Sequence, residues 1–164
     1  MQHYRKATVQ DALAVIANIR EEDKREIEGL GHTPLALVWC VETSAHATAF
    51  FNSDGEIAGV AGIGEDERPG VGQVWMICTP AVTKNPIKFV RQAKLWLDRV
   101  GKDYDLLWNY MDSRNKLHHK LVKMLGFKSL RYYCPPPYQT IPYIEIVKLC
   151  ASQQPQEQQP EPQH

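Results

Sequence analysis

The sequence predicts an α/β domain of the α+β type: a twisted, mixed but mostly antiparallel sheet with helices on both faces. Three observations predict it. Short apolar runs bounded by Gly, Pro, Asn and Asp punctuate the chain as strands do. Longer stretches between them carry apolar residues at helical spacing. The resulting order is strand, helix, helix, three strands, helix, strand, helix, two strands, which needs both sheet and helix layers around one core. At 164 residues the chain suits one domain, here residues 1–150.

Taken in order, "HYRKATV" alternates as a short strand. "VQDALAVIANIREEDKREIEGLG" reads as one helix, with Leu13, Ile16, Arg20, Asp23, Ile27 and Leu30 recurring at helical spacing and Gly29 and Gly31 as its stop. Its charge run "REEDKRE" reads as a solvated face, with a partner surface as the alternative. "TPLALVWCVETSA" opens with Pro and predicts a second, short helix. Two antiparallel strands follow, joined at "NSDG", because Asp-Gly between apolar runs is a strong hairpin signal. After the turn "RPGVG", the near-continuous apolar run "QVWMICT" suits a central strand.

"NPIKFVRQAKLWLDRVGKDYD" is the clearest helix. Asn85 is its N-cap, Pro86 its first residue and Gly101 its stop, and Phe89, Val90, Ala93, Trp96, Leu97 and Val100 form one core-facing stripe. "DLLWNYM" is a strand, "NKLHHKLVKMLGF" a helix with Leu117, Leu121, Met124 and Leu125 inward, and "SLRYYC", a turn at "PPPY" and "YIEIVKLC" the last strand pair. From Ala151 onward the Pro/Gln/Glu-rich sequence has nothing to bury, and a disordered tail over 151–164 is the expectation.

Nineteen basic residues balance nineteen acidic ones, so no global field favours nucleic acid or anionic lipid. Only the Lys84, Lys88 and Arg91 cluster speaks for a nucleic-acid partner. No apolar run reaches membrane-spanning length and no export signal is present, so no membrane partner is expected and the chain should be cytosolic at synthesis. Cys40, Cys78, Cys134 and Cys150 are scattered; an even count permits two disulfides, but buried free thiols are the expectation. His118 and His119 are consecutive, point about 100° apart and do not converge on one metal as an i, i+4 pair would. Surface or capping roles are expected for both, and no metal site.

The same stretch resembles the helix of the GNAT acyltransferase superfamily that carries an Asn with Gly-Phe eleven and twelve residues later: here Asn115, Gly126 and Phe127. "YRKATVQDALAVI" is similar to the family's opening strand and helix, "GEIAGVAGIGE" to its third strand and "QVWMICTP" to its fourth, and the element order matches over about residues 3–149. The resemblance implies an acetyl-CoA cofactor, no metal, and an amine as acyl acceptor. It implies that backbone N–H groups of Met76, Ile77 and Cys78 face the thioester. Where the family has a glycine-rich phosphate loop, "TPAVTKNPIKF" has none, and Lys84 and Lys88 stand in as point charges. Where the family has a general-acid Tyr there is Val122, which leaves His118 as the nearby substitute.

Glu65 or Glu67, in the turn "GEDERPG", is the candidate base acting through water. An exposed turn is the plainer reading of both. For Cys78, mid-strand with no positioned base, an inert buried thiol is expected over a nucleophile.

"KDYDLLWNYMDSRNKLHHKLVKMLGF" further resembles small bacteriophage proteins of the T7-like internal virion protein A type, through Asp105, Leu107, Trp108, Asn109 and Tyr110. That resemblance implies a virion-associated or assembly role with weak or absent catalysis, phage structural proteins as partners, and the bacterial host cytoplasm or virion as location. An active N-acetyltransferase is the competing expectation.

Overall fold

The computed structural model describes residues 3–136 and 140–150; the proposed tail and part of the "PPPY" turn lie outside them. The elements are β1 (Tyr4–Lys6), α1 (Val9–Ala17), α2 (Glu21–Gly29), α3 (Ala36–Thr43), β2 (Ala45–Phe51), β3 (Ile57–Glu65), β4 (Val71–Cys78), α4 (Pro86–Val100), β5 (Leu106–Asp112), α5 (Lys116–Met124), β6 (Lys128–Tyr133) and β7 (Tyr143–Leu149). They build one seven-stranded sheet in the order β1-β2-β3-β4-β5-β7-β6. Every neighbouring pair is antiparallel except β4 and β5.

Two apolar cores lie on opposite faces of that sheet. Ala12 and Val15 of α1 and Leu37 and Val41 of α3 pack on Ala49, Val60 and Ile77. On the other face Phe89, Ala93, Trp96 and Leu97 of α4 and Leu121 of α5 pack on Phe50, Ala61, Ile63, Leu107 and Met111. Phe50 meets both Phe89 and Trp96 edge-on at 5.8 and 5.7 Å, contacts worth about 0.5–1.5 kcal/mol each beyond their buried area. The α4 caps are as expected at its start, where Asn85 Oδ1 accepts from Lys88 N. Its end differs, for Gly101 keeps a helical conformation and the chain runs on into a 3-10 turn. Gly126, at φ +90°, ends α5 in the left-handed region that glycine favours, and the turn lets Phe127 N bond Val122 O while its ring is buried.

The long first helix is instead two. It breaks at Arg20, which is extended (ψ 139°) because its N–H donates to Cys78 O on β4. Leu13, placed inward by the single-helix reading, is 46% exposed. Met124 is likewise outward at 56%. The charged run is a solvated face only in part: Glu21, Glu22 and Arg25 are exposed, but Arg20, Asp23 and Glu26 are all buried. Tertiary partners on three other elements overrode the composition.

Tyr143 fixes α2 to the sheet by donating its hydroxyl to Glu26 O at 2.9 Å. A Cβ on Gly29 would collide with that hydroxyl. Gly29→Ala is therefore expected to destabilise by about 1–3 kcal/mol despite alanine's better helix propensity. Denaturant titration of both proteins checks it, and a stabilised variant would refute this packing.

Candidate functional site

Strands β4 and β5 run parallel but pair only where Val71, Gly72 and Gln73 face Leu106, Leu107 and Trp108. Beyond that they diverge, leaving a V-shaped gap at their C-terminal ends. Backbone groups of a diverging pair lose their ladder partners, and buried ones must find others. On β4 the alternate residues Val74 and Cys78 turn their polar groups away from β3, and Met76 shares that direction by strand alternation.

Side chains fill the gap. Low in the V, Asn109 Nδ2 donates to Val74 O at 2.6 Å, while its Oδ1 accepts from Tyr110 N and Gln73 Nε2. At the open end α2 supplies the partners. Cys78 N donates to Asp23 Oδ2 at 2.7 Å, and Asp112 N donates to Glu26 Oε2 at 3.0 Å. Asn115 Nδ2 bridges the two carboxylates, at 2.9 Å from Asp23 and 3.3 Å from Glu26. Arg20 Nη1 pairs with Asp23 Oδ1 at 3.0 Å. A buried charge needs this degree of pairing, because an unpaired one costs several kcal/mol.

The surroundings tune these groups. Burial, then the negative Asp23, pushes the Glu26 carboxyl up to about 8 against the N–H donors that favour its charge. Burial holds the His118 imidazole below its ordinary value despite Asp23, so it is neutral near pH 7. Burial also pushes the Cys78 thiol well up. Glu26 has a consequence for stability. Below about 4.5 its carboxyl is protonated in both states; between there and about 8 the unfolded chain releases the proton and the folded chain does not. Stability should therefore fall as pH rises through that window, each pH unit being worth about 1.36 kcal/mol, and level off above it. Melting temperatures measured across the window should decline in the wild type and much less in Glu26→Gln.

A cleft of about 370 Å³ lies on the α2 and α3 side, walled by Leu30, Trp39, Trp75, Tyr110, Glu65 and Glu26. Under α4 and α5 a narrow slot of about 60 Å³ runs past Trp96, Met111, Leu121 and Val122. Both reach Glu26, Met76 and Asn109, so they meet at the V. Aromatic walls with the Glu65 carboxylate at the rim suit an apolar cation, such as an alkylammonium.

The sequence-predicted residues divide into three groups. Asn115, His118 and Cys78 come together at the open end of the V. Asn115 caps α5 without a side-chain cap bond because α2 holds its amide. His118 is 5% exposed, not the surface residue expected, because α5 turns it towards Asp23, 3.4 Å from Nε2. His119 Nε2 meets Asp112 O at 2.9 Å. Met76 and Ile77 lie on β4, with Met76 at the gap and Glu65 exposed at the cleft rim. Lys84 and Lys88 are turned to the β2–β3 hairpin, where Lys84 Nζ pairs with Glu56 at 2.5 Å and Lys88 Nζ bonds Ser53 Oγ at 3.2 Å. All four cysteines are free; Cys78 and Cys150 are buried, Cys40 is half-buried and Cys134 exposed.

The loop after β4 uses its own donors. Thr79 N bonds Ala58 O, Ala81 N bonds Thr79 Oγ1, and Val82 N and Lys84 N close 3-10 turns. Pro80 and Pro86 have no N–H to offer. Reading the sequence missed Arg20, Asp23, Glu26 and Asn109. Positions 20, 23 and 26 recur every three residues on one helical ridge, a signal that a solvated face hides. No described helix is long and apolar enough to cross a membrane.

A scan against protein-family models gives no match, and neither does a search of curated proteins. Solved structures do match. A GNAT-family acetyltransferase from Streptococcus pneumoniae is 18% identical with a TM-score of 0.61, covering 90% of this chain and 98% of its own. A GNAT-family acetyltransferase from Bacillus anthracis is 15% identical with a TM-score of 0.65, covering 89% and 93%. A phosphinothricin acetyltransferase of the GNAT superfamily from Sinorhizobium meliloti, in complex with acetyl-CoA, is 15% identical with a TM-score of 0.63, covering 94% and 93%. The chain has the GNAT acetyltransferase fold.

Proposed function

We propose that this GNAT-fold chain acts by binding rather than by acetyl transfer, as a virion-associated or assembly factor of the phage internal virion protein A type. One observation carries the first part. The backbone donors at the open end of the V, through Cys78 and Asp112, are held by Asp23 and Glu26 of the chain's own α2. Acetyl-CoA does not fit such a site. Its amides would compete with buried carboxylates for those donors, the following loop offers its pyrophosphate few N–H groups, and Val122 has no proton to give a thiolate. The virion role rests on the resemblance of residues 105–110 alone, and proteomics of purified phage particles tests it.

A second reading, an active N-acetyltransferase on a protein or small-molecule amine, is favoured by Glu26. Its carboxyl sits where cleft and slot meet and is pushed up to about 8 by burial and Asp23, so that its ionised fraction is basic enough to take a proton from an ammonium group. A solved neighbour named as a spermidine N-acetyltransferase fits the same direction. Release of free CoA thiol from acetyl-CoA, followed with polyamines and peptides as acceptors, separates the two. The binding reading expects no release above the buffer rate. Turnover that disappears in Glu26→Gln establishes the enzyme.

A further inference from the structure

Asp23, Cys78 and His118 come from α2, β4 and α5, yet one ligand atom of each lies within 4.8 Å of the others. All three side chains are buried, at 0%, 0% and 5% exposure. Two nearby polar atoms lack hydrogen bonds: His118 Nε2 and Asn115 Oδ1. Nε2 stands 3.4 Å from Asp23 Oδ1, close to it but without a hydrogen bond. Buried unpaired polar atoms of this kind cost about 1–3 kcal/mol each unless something fills the space between them.

We propose that Asp23, Cys78 and His118 bind one zinc ion, with the orphaned Asn115 Oδ1 as the fourth ligand. The donor types are those zinc selects: one thiolate, one imidazole and oxygen. Asp23 keeps a lone pair for it. Its Oδ1 accepts from Arg20 and Asn115, its Oδ2 accepts only from Cys78 N, and a carboxylate has about four lone-pair sites. Arg20 already neutralises Asp23, so the Cys78 thiolate offsets one of the ion's two charges, the thiol losing its proton to solvent as the zinc–sulfur bond forms, and the site keeps one net positive charge. The ion would tie α2 and α5 to the end of β4 and so lock the V. The site uses the same Asp23 that holds the end of the V, so it rests on the binding reading, and zinc uptake is measured without acetyl-CoA.

The full-length chain, stripped with a chelator and dialysed, is titrated with zinc against a chromophoric competitor and, separately, with cobalt(II). One equivalent of zinc is expected, with a thiolate-to-cobalt charge-transfer band. Cys78→Ala and His118→Gln should each weaken zinc by at least about 100-fold, given how far a lost ligand or its supporting partner lowers affinity. Cys134→Ser should leave it unchanged. Failure to take up one equivalent, a cobalt spectrum without the sulfur band, or full affinity in Cys78→Ala would overturn the site. Should a variant not fold by circular dichroism, the cobalt spectrum of the wild type decides.

Discussion

Asp23→Ala is expected to lower the melting temperature by roughly 6–20 °C. Asp23 is fully buried and holds three partners at once: the Arg20 guanidinium, Cys78 N and Asn115 Nδ2. Removing the carboxylate leaves the Arg20 guanidinium, 9% exposed, with only its longer contact to Glu22 at 3.5 Å, and leaves the strand-end N–H of Cys78 unpaired. Breaking a buried pair from one side typically costs about 3–5 kcal/mol. For a domain of this size each kcal/mol moves the melting temperature by about 2–4 °C. Asp23→Asn should fall between the two, because one oxygen can still accept from Cys78 N while the charge for Arg20 is gone. A melting temperature within about a degree of wild type in Asp23→Ala would mean that α2 does not hold the V.

Asn109→Leu should be nearly as damaging, although it swaps a half-buried polar residue for an apolar one of similar size. Asn109 is the only described side chain that joins the two strands inside the gap by donating to one and accepting from the other. Leucine leaves Val74 O and Tyr110 N without these partners, at about 1–3 kcal/mol per group. At about 2–6 kcal/mol for the two groups, this predicts a drop of roughly 4–24 °C, to which the lost Gln73 contact adds. Hydrogen exchange should show faster opening at Tyr110 than at Leu107, where the parallel ladder is intact. Unchanged exchange at Tyr110 would contradict the bridge.

The fold was largely legible because its signals are local. Asp-Gly at the β2–β3 hairpin, Asn85-Pro86 opening α4 and Gly126 closing α5 each name an element boundary without tertiary help. The site was less legible because its key residues act across long separations. Asn115 meets Asp23 from 92 residues away, and Asp112 meets Glu26 from 86. In sequence those carboxylates sit among Glu21, Glu22, Lys24 and Arg25, which have the composition of a water-facing helix. Burial turned the run into a paired cluster. The two histidines misled in a similar way. Their spacing speaks only to a metal shared between the two, whereas the partners that reach His118 come from α2 and β4, which spacing within α5 does not show. Asn109 was visible as part of "LWNY", but its strand context said nothing of a diverging neighbour.

On the binding reading, the chain's own second helix occupies the open end of the V through Asp23 and Glu26, where acetyl-CoA would otherwise lie. Titration calorimetry of acetyl-CoA into the full chain at low and moderate salt measures it most directly. The plugged V predicts no binding heat beyond dilution, corresponding to a Kd weaker than about 1 mM. Weak binding that vanished with salt and in Lys84→Ala/Lys88→Ala would report only surface attraction to phosphate. Micromolar binding that persists at moderate salt would contradict the claim, because the cofactor would then have displaced Asp23 and Glu26 from the strand ends.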